Sequence, residues 1–327
     1  MNVRSVLAGI EPHLMPAAPA LRPAVLRVAT GLYTARYLGR RVKMFRRIHR
    51  GDARMFAPVG PCRILKQPLP PRIADALVWA EVAANAAYTA GLGYRVTGPL
   101  HAALLTWTLS YRNSWSMVFH NDNNLVLHTA VLGAAPAADA LSLDSLLRSG
   151  TLVPRRYGWQ YGLPATVMSA VTACTYLVSG VAKVSGPMGW KWASGGGLRG
   201  QVAADGLRKE LLGSHAAALG LKLYERKGLF TLLAVGALVI ELAAPLALAN
   251  RRLGQAFAVA AFGMHWGIYA VMGIRFRYNQ SGVMYLCFFP VGRTLQKGYP
   301  LPHCNTSGKV NSLPHLQTSV SRSSLPH

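Results

Sequence analysis

Histidines and amides are concentrated in one short stretch of the chain, HNDNNLVLH, from His120 to His128. On a helix, His120, Asn124 and His128 are four residues apart and therefore share a face. Two imidazoles and an amide on one face could bind a polar molecule or transfer protons. Residues 120–123 could instead cap the start of a helix. Capping does not account for His128, one turn deeper, so both interpretations stay open. Two histidines without an acid on the same face do not predict a metal site.

A second group of polar residues lies in TYLVSGVAK, residues 175–183. Tyr176, Gly180 and Lys183 recur at helical spacing and share a face. Gly180 would allow a second helix or a ligand to approach closely. A desolvated lysine can lose its charge and act as a base near neutral pH. Alternatively, Lys183 lies near the end of an apolar segment and extends its amine to the membrane interface.

Further ionisable residues interrupt long apolar runs. Glu81, Glu241 and His265 lie inside such runs, and Tyr269 follows His265 by one helical turn. Ionised groups cost roughly 2.5–3.5 kcal/mol each at the centre of a membrane-spanning helix. We therefore expect these residues to be paired or uncharged and to line the interior of the protein. A structural ion pair or hydrogen bond explains each of them as well as a catalytic role does.

The elements that must position these residues are long apolar segments. Apolar residues make up 51% of the 327-residue chain and charged residues 14%. A spanning helix needs about 20 mostly apolar residues. Eight segments approach this requirement, at 20–39, 73–94, 98–118, 123–141, 163–184, 229–249, 254–273 and 280–294. They do not alternate polar and apolar residues as barrel strands do. The sequence predicts an all-α, polytopic transmembrane bundle of about seven or eight spans in the cell membrane.

The net charge of +24 comes from basic residues between the apolar segments. This arrangement is typical of loops beside anionic lipid headgroups, so the predicted partner is a lipid bilayer and not a nucleic acid. With eight spans, the basic connections after the first and fifth segments lie on one side. The positive-inside rule makes that side cytoplasmic.

The ends of the chain differ in composition from its centre. Residues 1–19 form an N-terminal segment, and residues 20–295 contain the apolar segments. Residues 296–327 are rich in Ser, Pro, His and Asn, which predicts a disordered tail. The four cysteines form no CxxC pair, so no disulfide framework or zinc site is predicted.

Several stretches occur in the order found in one known family. They are LRPAVLRVATGLY, GLGYRVTGPL, SYRNSWSMVFHNDNNLVLH, ALSLDSLL with Asp144, TYLVSGVAK and FGMHWGIYAVMGI. In this order, from about residue 20 to 290, the chain resembles the HTTM domain family, the bacterial membrane relatives of vitamin K-dependent gamma-carboxylase. The resemblance implies that Lys183 is a base acting on a reduced quinone such as menaquinol. It also makes His120 a second catalytic candidate.

Two kinds of function remain open at this stage. In the first, the protein is a membrane-embedded enzyme whose pocket is lined by the residues named above: Asn124, His128, Tyr176, Gly180, Glu241, His265 and Tyr269. In the second, it is a non-catalytic membrane protein: a small-molecule binder, a transporter, or an immunity or assembly factor. A transporter should contain an internal repeat, and none is apparent. The residues do not identify a protein partner.

Overall fold

The computed structural model describes residues 15–115 and 122–292. The described part is almost entirely helical, which confirms the all-α part of the predicted fold class. The predicted disordered tail, His120 and most of the N-terminal segment lie outside the described residues. The helices are α1 (Leu21–Gly39), α2 (Val42–Ile48), α3 (Pro71–Ala90), α4 (Tyr94–Asn113), α5 (Asn123–Ala134), α6 (Leu143–Ser149), α7 (Trp159–Ser185), α8 (Gly196–Leu211), α9 (Ala218–Leu223), α10 (Lys227–Leu242), α11 (Arg251–Met272) and α12 (Arg277–Gln280).

Shorter elements connect these helices. Two-residue strands, β1 (Ala18–Pro19) and β2 (Tyr157–Gly158), pair antiparallel just before α1 and α7. Short 3₁₀ turns occupy the longer connections, at Ala53–Met55, Gly60–Ile64, Gly189–Ser194, Ala244–Leu248 and Val283–Phe288.

Local sequence explains where several helices begin and end. Pro71 occupies the first turn of α3, where a backbone N–H would have no helical partner anyway. Gly91 ends α3 with φ +66°, a conformation that favours glycine. Asp144 of α6 caps α4, since its two carboxylate oxygens accept the backbone N–H groups of Gly93 and Tyr94, each at 2.8 Å.

Helix α7 lies at the centre of the bundle. It packs against α1, α5 and α10 and against the turns at Ala244–Leu248 and Val283–Phe288. Large residues of the main core come from α1, α5, α7 and the turn Val283–Phe288, including Leu26, Leu132, Met168 and Met284. Residues on opposite faces of α7 therefore contact both halves of the bundle.

Helices α4 and α5 cross at a pair of glycines. A Cβ atom at Gly98 would lie 2.9 Å from the carbonyl oxygen of Gly133, and one at Gly133 would lie 2.7 Å from that of Gly98. Only hydrogen side chains fit this crossing, which is the small-residue packing common between membrane helices.

Two described helices, α7 and α11, are long and apolar enough to cross a membrane. The other predicted spans do not reach that criterion among the described residues, for two reasons. Some are shorter than predicted: α5 has 12 residues, α10 has 16, and the last segment forms a six-residue 3₁₀ turn. Others carry charge, such as Arg22, Arg27 and Arg36 in α1.

The two most basic connections extend from the same end of the bundle. The hydroxyl of Tyr37, near the end of α1, donates to Asp122 at 2.6 Å, just before α5. Asn124, at the start of α5, binds Thr175 of α7 at 3.0 Å. The end of α1, the start of α5 and the later part of α7 thus lie together. Residues 40–70 follow α1 and residues 186–226 follow α7, so both connections begin at this end.

Candidate functional site

Lys183 and Glu241 form an ion pair between α7 and α10. Nζ of Lys183 lies 2.6 Å from both carboxylate oxygens of Glu241. The Glu241 side chain is 8% exposed and the Lys183 side chain 26% exposed. Gly180 makes the pair possible, since a Cβ there would lie 2.9 Å from Cβ of Glu241. The carboxylate is therefore held inside the bundle while the amine reaches the surface.

A hydroxyl and imidazole cluster lies one to two turns below Lys183 on the same face of α7. The Tyr176 hydroxyl lies 2.6 Å from the Tyr285 hydroxyl and 3.2 Å from Nδ1 of His265. The side-chain amide of Asn279 donates to the Tyr176 hydroxyl at 3.3 Å. The cluster is buried and joins α7, α11, α12 and the turn Val283–Phe288. It holds His265 in a fixed orientation beside the core.

His128 belongs to a second buried group, which contacts α7 one to two turns before Tyr176. Its Nδ1 lies 3.0 Å from the Tyr278 hydroxyl, and its Nε2 lies 3.0 Å from the Thr172 hydroxyl and 3.2 Å from the Met168 carbonyl oxygen. Both ring nitrogens are therefore engaged. These hydrogen bonds join α5 to α7. They are the contacts expected of a structural histidine in a protein core.

The remaining predicted pocket residues are dispersed. Asn124 hydrogen-bonds Thr175. Tyr269 is placed away from the buried cluster, where its hydroxyl accepts a hydrogen bond from Arg275 at 3.0 Å. It lies near the end of α11, and its place in the pocket stays a prediction. His120 lies outside the described residues.

An apolar groove of about 310 Å³ adjoins the ion pair. Trp190, Val235, Leu238 and Leu242 are among its lining residues. Leu242 follows Glu241 in sequence and lies against Gly180, so the groove and the ion pair are neighbours on α10, although neither charged side chain lines the groove. Nζ of Lys183 lies 5.4 Å from the ring centre of Trp192. A charged pair thus stands at the edge of an apolar surface, an arrangement suited to an amphipathic molecule.

Sequence reasoning missed several members of these clusters. Tyr278 and Asn279 lie just before the last predicted span, 280–294, and Tyr285 lies within it. The signal was available, since polar residues beside an aromatic run at a predicted span boundary are candidates for internal hydrogen bonds.

Comparisons with known proteins leave the chain without an assigned relative. No family model, curated protein or solved structure matches it.

Proposed function

We propose that the chain is a membrane-embedded enzyme in which Lys183 acts as a base on a lipid-soluble molecule with an acidic hydroxyl, such as a reduced quinone. The observation that carries the proposal is the Lys183–Glu241 pair at the edge of an apolar groove. Ordinary structural ion pairs do not require such a groove, whereas binding of an amphipathic molecule does.

The exposure of apolar helix surface supports a polytopic membrane location, in which α1, α3, α4, α5 and α10 lie within the bilayer together with the spanning helices α7 and α11. In the most apolar windows of α7 and α11, 39% and 17% of residues are buried. A core helix of a water-soluble protein would be mostly buried. Large apolar side chains face outward instead, including Val178 on α7, Leu232 on α10 and Val259 on α11. Lipid tails would cover these surfaces.

The two basic connections extend from one end of the bundle, here called the basic end, and this supports an orientation in the membrane. Both basic connections begin there, and positively charged loops favour the cytoplasmic side. Lys183 lies toward the same end of α7. The proposed site is then near the cytoplasmic interface, accessible to a molecule that enters sideways from the lipid.

Lys183 and Glu241 share one proton, which can lie on the amine or on the carboxylate. As an ion pair, the ammonium donates to the carboxylate; as a neutral pair, the carboxylic acid donates to the amine. A bound molecule would cover the exposed quarter of Lys183 and exclude water, which favours the neutral pair. The neutral amine of Lys183 then accepts the proton of an acidic hydroxyl, and its new ammonium stays beside the resulting anion.

The residues present fit such a molecule. Its hydroxyl would be bound by Lys183 and its apolar body by the groove beside Leu242 and Trp190. A reduced quinone, when bound, supplies an acidic hydroxyl and an electron-rich ring. The resemblance of TYLVSGVAK to the HTTM domain family gives the same role to Lys183, and that family is proposed for the chain on this basis.

The same ion pair also favours a second candidate function, a non-catalytic binder. Glu241 lies 2.6 Å from Nζ of Lys183, and a lysine ammonium binds anionic groups without removing a proton. A binder would tolerate Lys183→Arg, since arginine keeps the charge, whereas a base would not, since arginine stays protonated.

Mass spectrometry of lipids that co-purify in mild detergent tests the proposal. Wild type, Lys183→Ala and Lys183→Arg would be compared, with Lys222→Ala as a control for an exposed lysine at the basic end. We expect a quinone with wild type and the control, and a changed amount or oxidation state with both Lys183 variants.

Two other outcomes are informative. If Lys183→Arg matches wild type while Lys183→Ala loses the quinone, the protein is a binder and the base role is wrong. If all four samples carry the same lipids and no quinone, the proposed substrate class is wrong.

A further inference from the structure

Two ionisable side chains meet in the interior between α3 and α4. Oε1 of Glu81 lies 3.0 Å from Nδ1 of His101, and both side chains are 0% exposed. Glu81 is ten residues from the start of α3, so about 15 Å of helix separates it from either end. Neither group can reach the surface by extending its side chain.

The pair has no other polar support among the described residues. Neither carboxylate oxygen of Glu81 and neither ring nitrogen of His101 has a hydrogen-bond partner there. The His101 ring instead packs on the ring of Tyr88, with 4.5 Å between centroids. Each of the two groups therefore depends on the other.

Proton counting limits the states of this pair. Glutamic acid with neutral imidazole and glutamate with imidazolium both hold one shared proton and have no net charge. Removing that proton leaves a lone carboxylate, and adding another leaves a lone imidazolium. Either would cost several kcal/mol in an apolar interior.

Between the two uncharged combinations, the surroundings select one. A buried ion pair is stable only when further hydrogen bonds satisfy its remaining lone pairs and protons. The described residues supply none to Glu81 or His101. We propose that Glu81 and His101 form a buried proton-binding site, with Glu81 held as the neutral carboxylic acid beside a neutral His101.

Titratable groups on the surrounding helices are engaged elsewhere and do not compensate a charge at this site. Arg27 of α1 donates to the carbonyl oxygens of Tyr88 and Leu141. The Tyr88 hydroxyl bonds to Thr30, and the Tyr94 hydroxyl donates to the Leu132 carbonyl oxygen. His128 of α5 bonds to Tyr278 and Thr172, and His49, which follows α2, bonds to Asp75.

The site is distinct from the Lys183 site, since helix α5 packs between α4 and α7. Its consequence concerns the contact of α3 with α4. While Glu81 keeps its proton, no charged group lies between α3 and α4. Release of the proton requires the two helices to separate far enough to admit water. The site thus couples proton loss to opening of one specific interface, whatever chemistry takes place at Lys183.

Infrared spectroscopy of the full-length protein tests this inference directly. A protonated carboxyl group has a C=O stretching band that ionised carboxylates lack. We expect such a band at neutral pH, lost in Glu81→Gln and kept in Glu210→Gln, which alters an exposed carboxylate. The wild-type band should persist between about pH 5 and pH 9, because the site excludes charge.

The thermal stability of Glu81→Gln gives a second readout. Glutamine is a neutral replacement of a neutral acid, so we expect an unchanged melting temperature. In an ion pair, the same variant would remove the charge that holds the proton on His101, and the loss of the pair would lower the melting temperature. A wild-type spectrum without any Glu81-dependent band would overturn the proposal.

If Glu81→Gln does not fold, His101→Leu decides the question, since it keeps Glu81 and removes its neighbour. The carboxylic acid band should then move to higher frequency, because the acid loses the polar imidazole that lies 3.0 Å away. A band of unchanged frequency would show that Glu81 and His101 do not share a proton.

Discussion

The position of the Lys183 amine is set by its ion pair with Glu241 more than by contacts within α7. The amine is bound by both oxygens of Glu241, and the carboxylate is the more buried member of the pair. Since the pair takes polar groups into an apolar bundle, its members should be more costly to remove singly than together.

We expect Glu241→Gln to lower the free energy of unfolding by about 2 kcal/mol, because it leaves the ammonium without its acid. The double variant Lys183→Met with Glu241→Leu should recover most of this loss, since it buries apolar groups of similar size. Denaturant titration in detergent measures both. Glu210→Gln is the control, because that side chain is 53% exposed. A double variant less stable than Glu241→Gln would contradict the expectation.

His49 provides a pH-dependent contribution outside the proposed spans. Its imidazole is buried, and Nδ1 lies 2.8 Å from Asp75. Burial lowers the pKa of His49, and the hydrogen bond to Asp75 only partly opposes this. The folded protein therefore holds His49 neutral more firmly than the unfolded chain does.

The sign of the effect follows from this lowered pKa. As the pH falls through about 6.5, the unfolded chain takes up the proton first, so the stabilising contribution of neutral His49 is complete above that pH and declines below it. We expect the melting temperature of wild type to approach that of His49→Gln between about pH 7.5 and pH 5. Melting curves of both proteins measure this gap, and a gap that widens on acidification would show that the pKa is raised instead.

At the scale of helices, the crossing of α4 and α5 is set by Gly98 and Gly133, where backbone meets backbone. A larger residue must push the two helices apart, because neither contact involves a flexible side chain that could move.

We expect Gly98→Leu to destabilise the protein by about 2 kcal/mol or to prevent folding. Gly263→Leu is the matched control, since Gly263 lies in α11 with open space around it. Thermal unfolding of both variants in one detergent gives the comparison. Equal stability of the two would mean that the α4–α5 contact is looser than the distances indicate.

The sequence predicted elements better than contacts between them. Long apolar runs located most of the helices, because composition is a local signal, whereas the predicted segment 73–94 missed the ends that Pro71 and Gly91 give to α3. Lys183 and Glu241 were both recognised as candidates, yet nothing local shows that residues 58 positions apart form a pair. The last apolar segment was misjudged for a related reason. Its residues serve the core as a 3₁₀ turn, and tertiary packing overrides the tendency of such a run to form a helix.

At the scale of the whole molecule, the proposed bilayer should shield the middle of α7. Cys174 lies in this helix and its side chain is exposed in the fold. Exposure in the fold then means contact with lipid tails, where water-soluble reagents do not enter.

In a variant that keeps Cys174 as its single cysteine, we expect a membrane-impermeant maleimide to label the thiol poorly in sealed vesicles. Labelling should increase after the protein is unfolded in denaturing detergent. Adding Ser214→Cys, at the exposed connection after α8, gives a site that should react when its side of the vesicle faces the reagent. Rapid labelling of Cys174 in intact vesicles would contradict the membrane location.

Asp144 caps α4 from a position 50 residues further along the chain. During synthesis, α3 and α4 leave the ribosome well before Asp144 does. Until then, the first amide groups of α4 have no carboxylate to accept their hydrogen bonds and rely on water or headgroups. The α3–α4 hairpin is therefore completed late, after α5 has been made. Ribosome stalling before residue 144 should yield a hairpin more sensitive to proteases than one released after it.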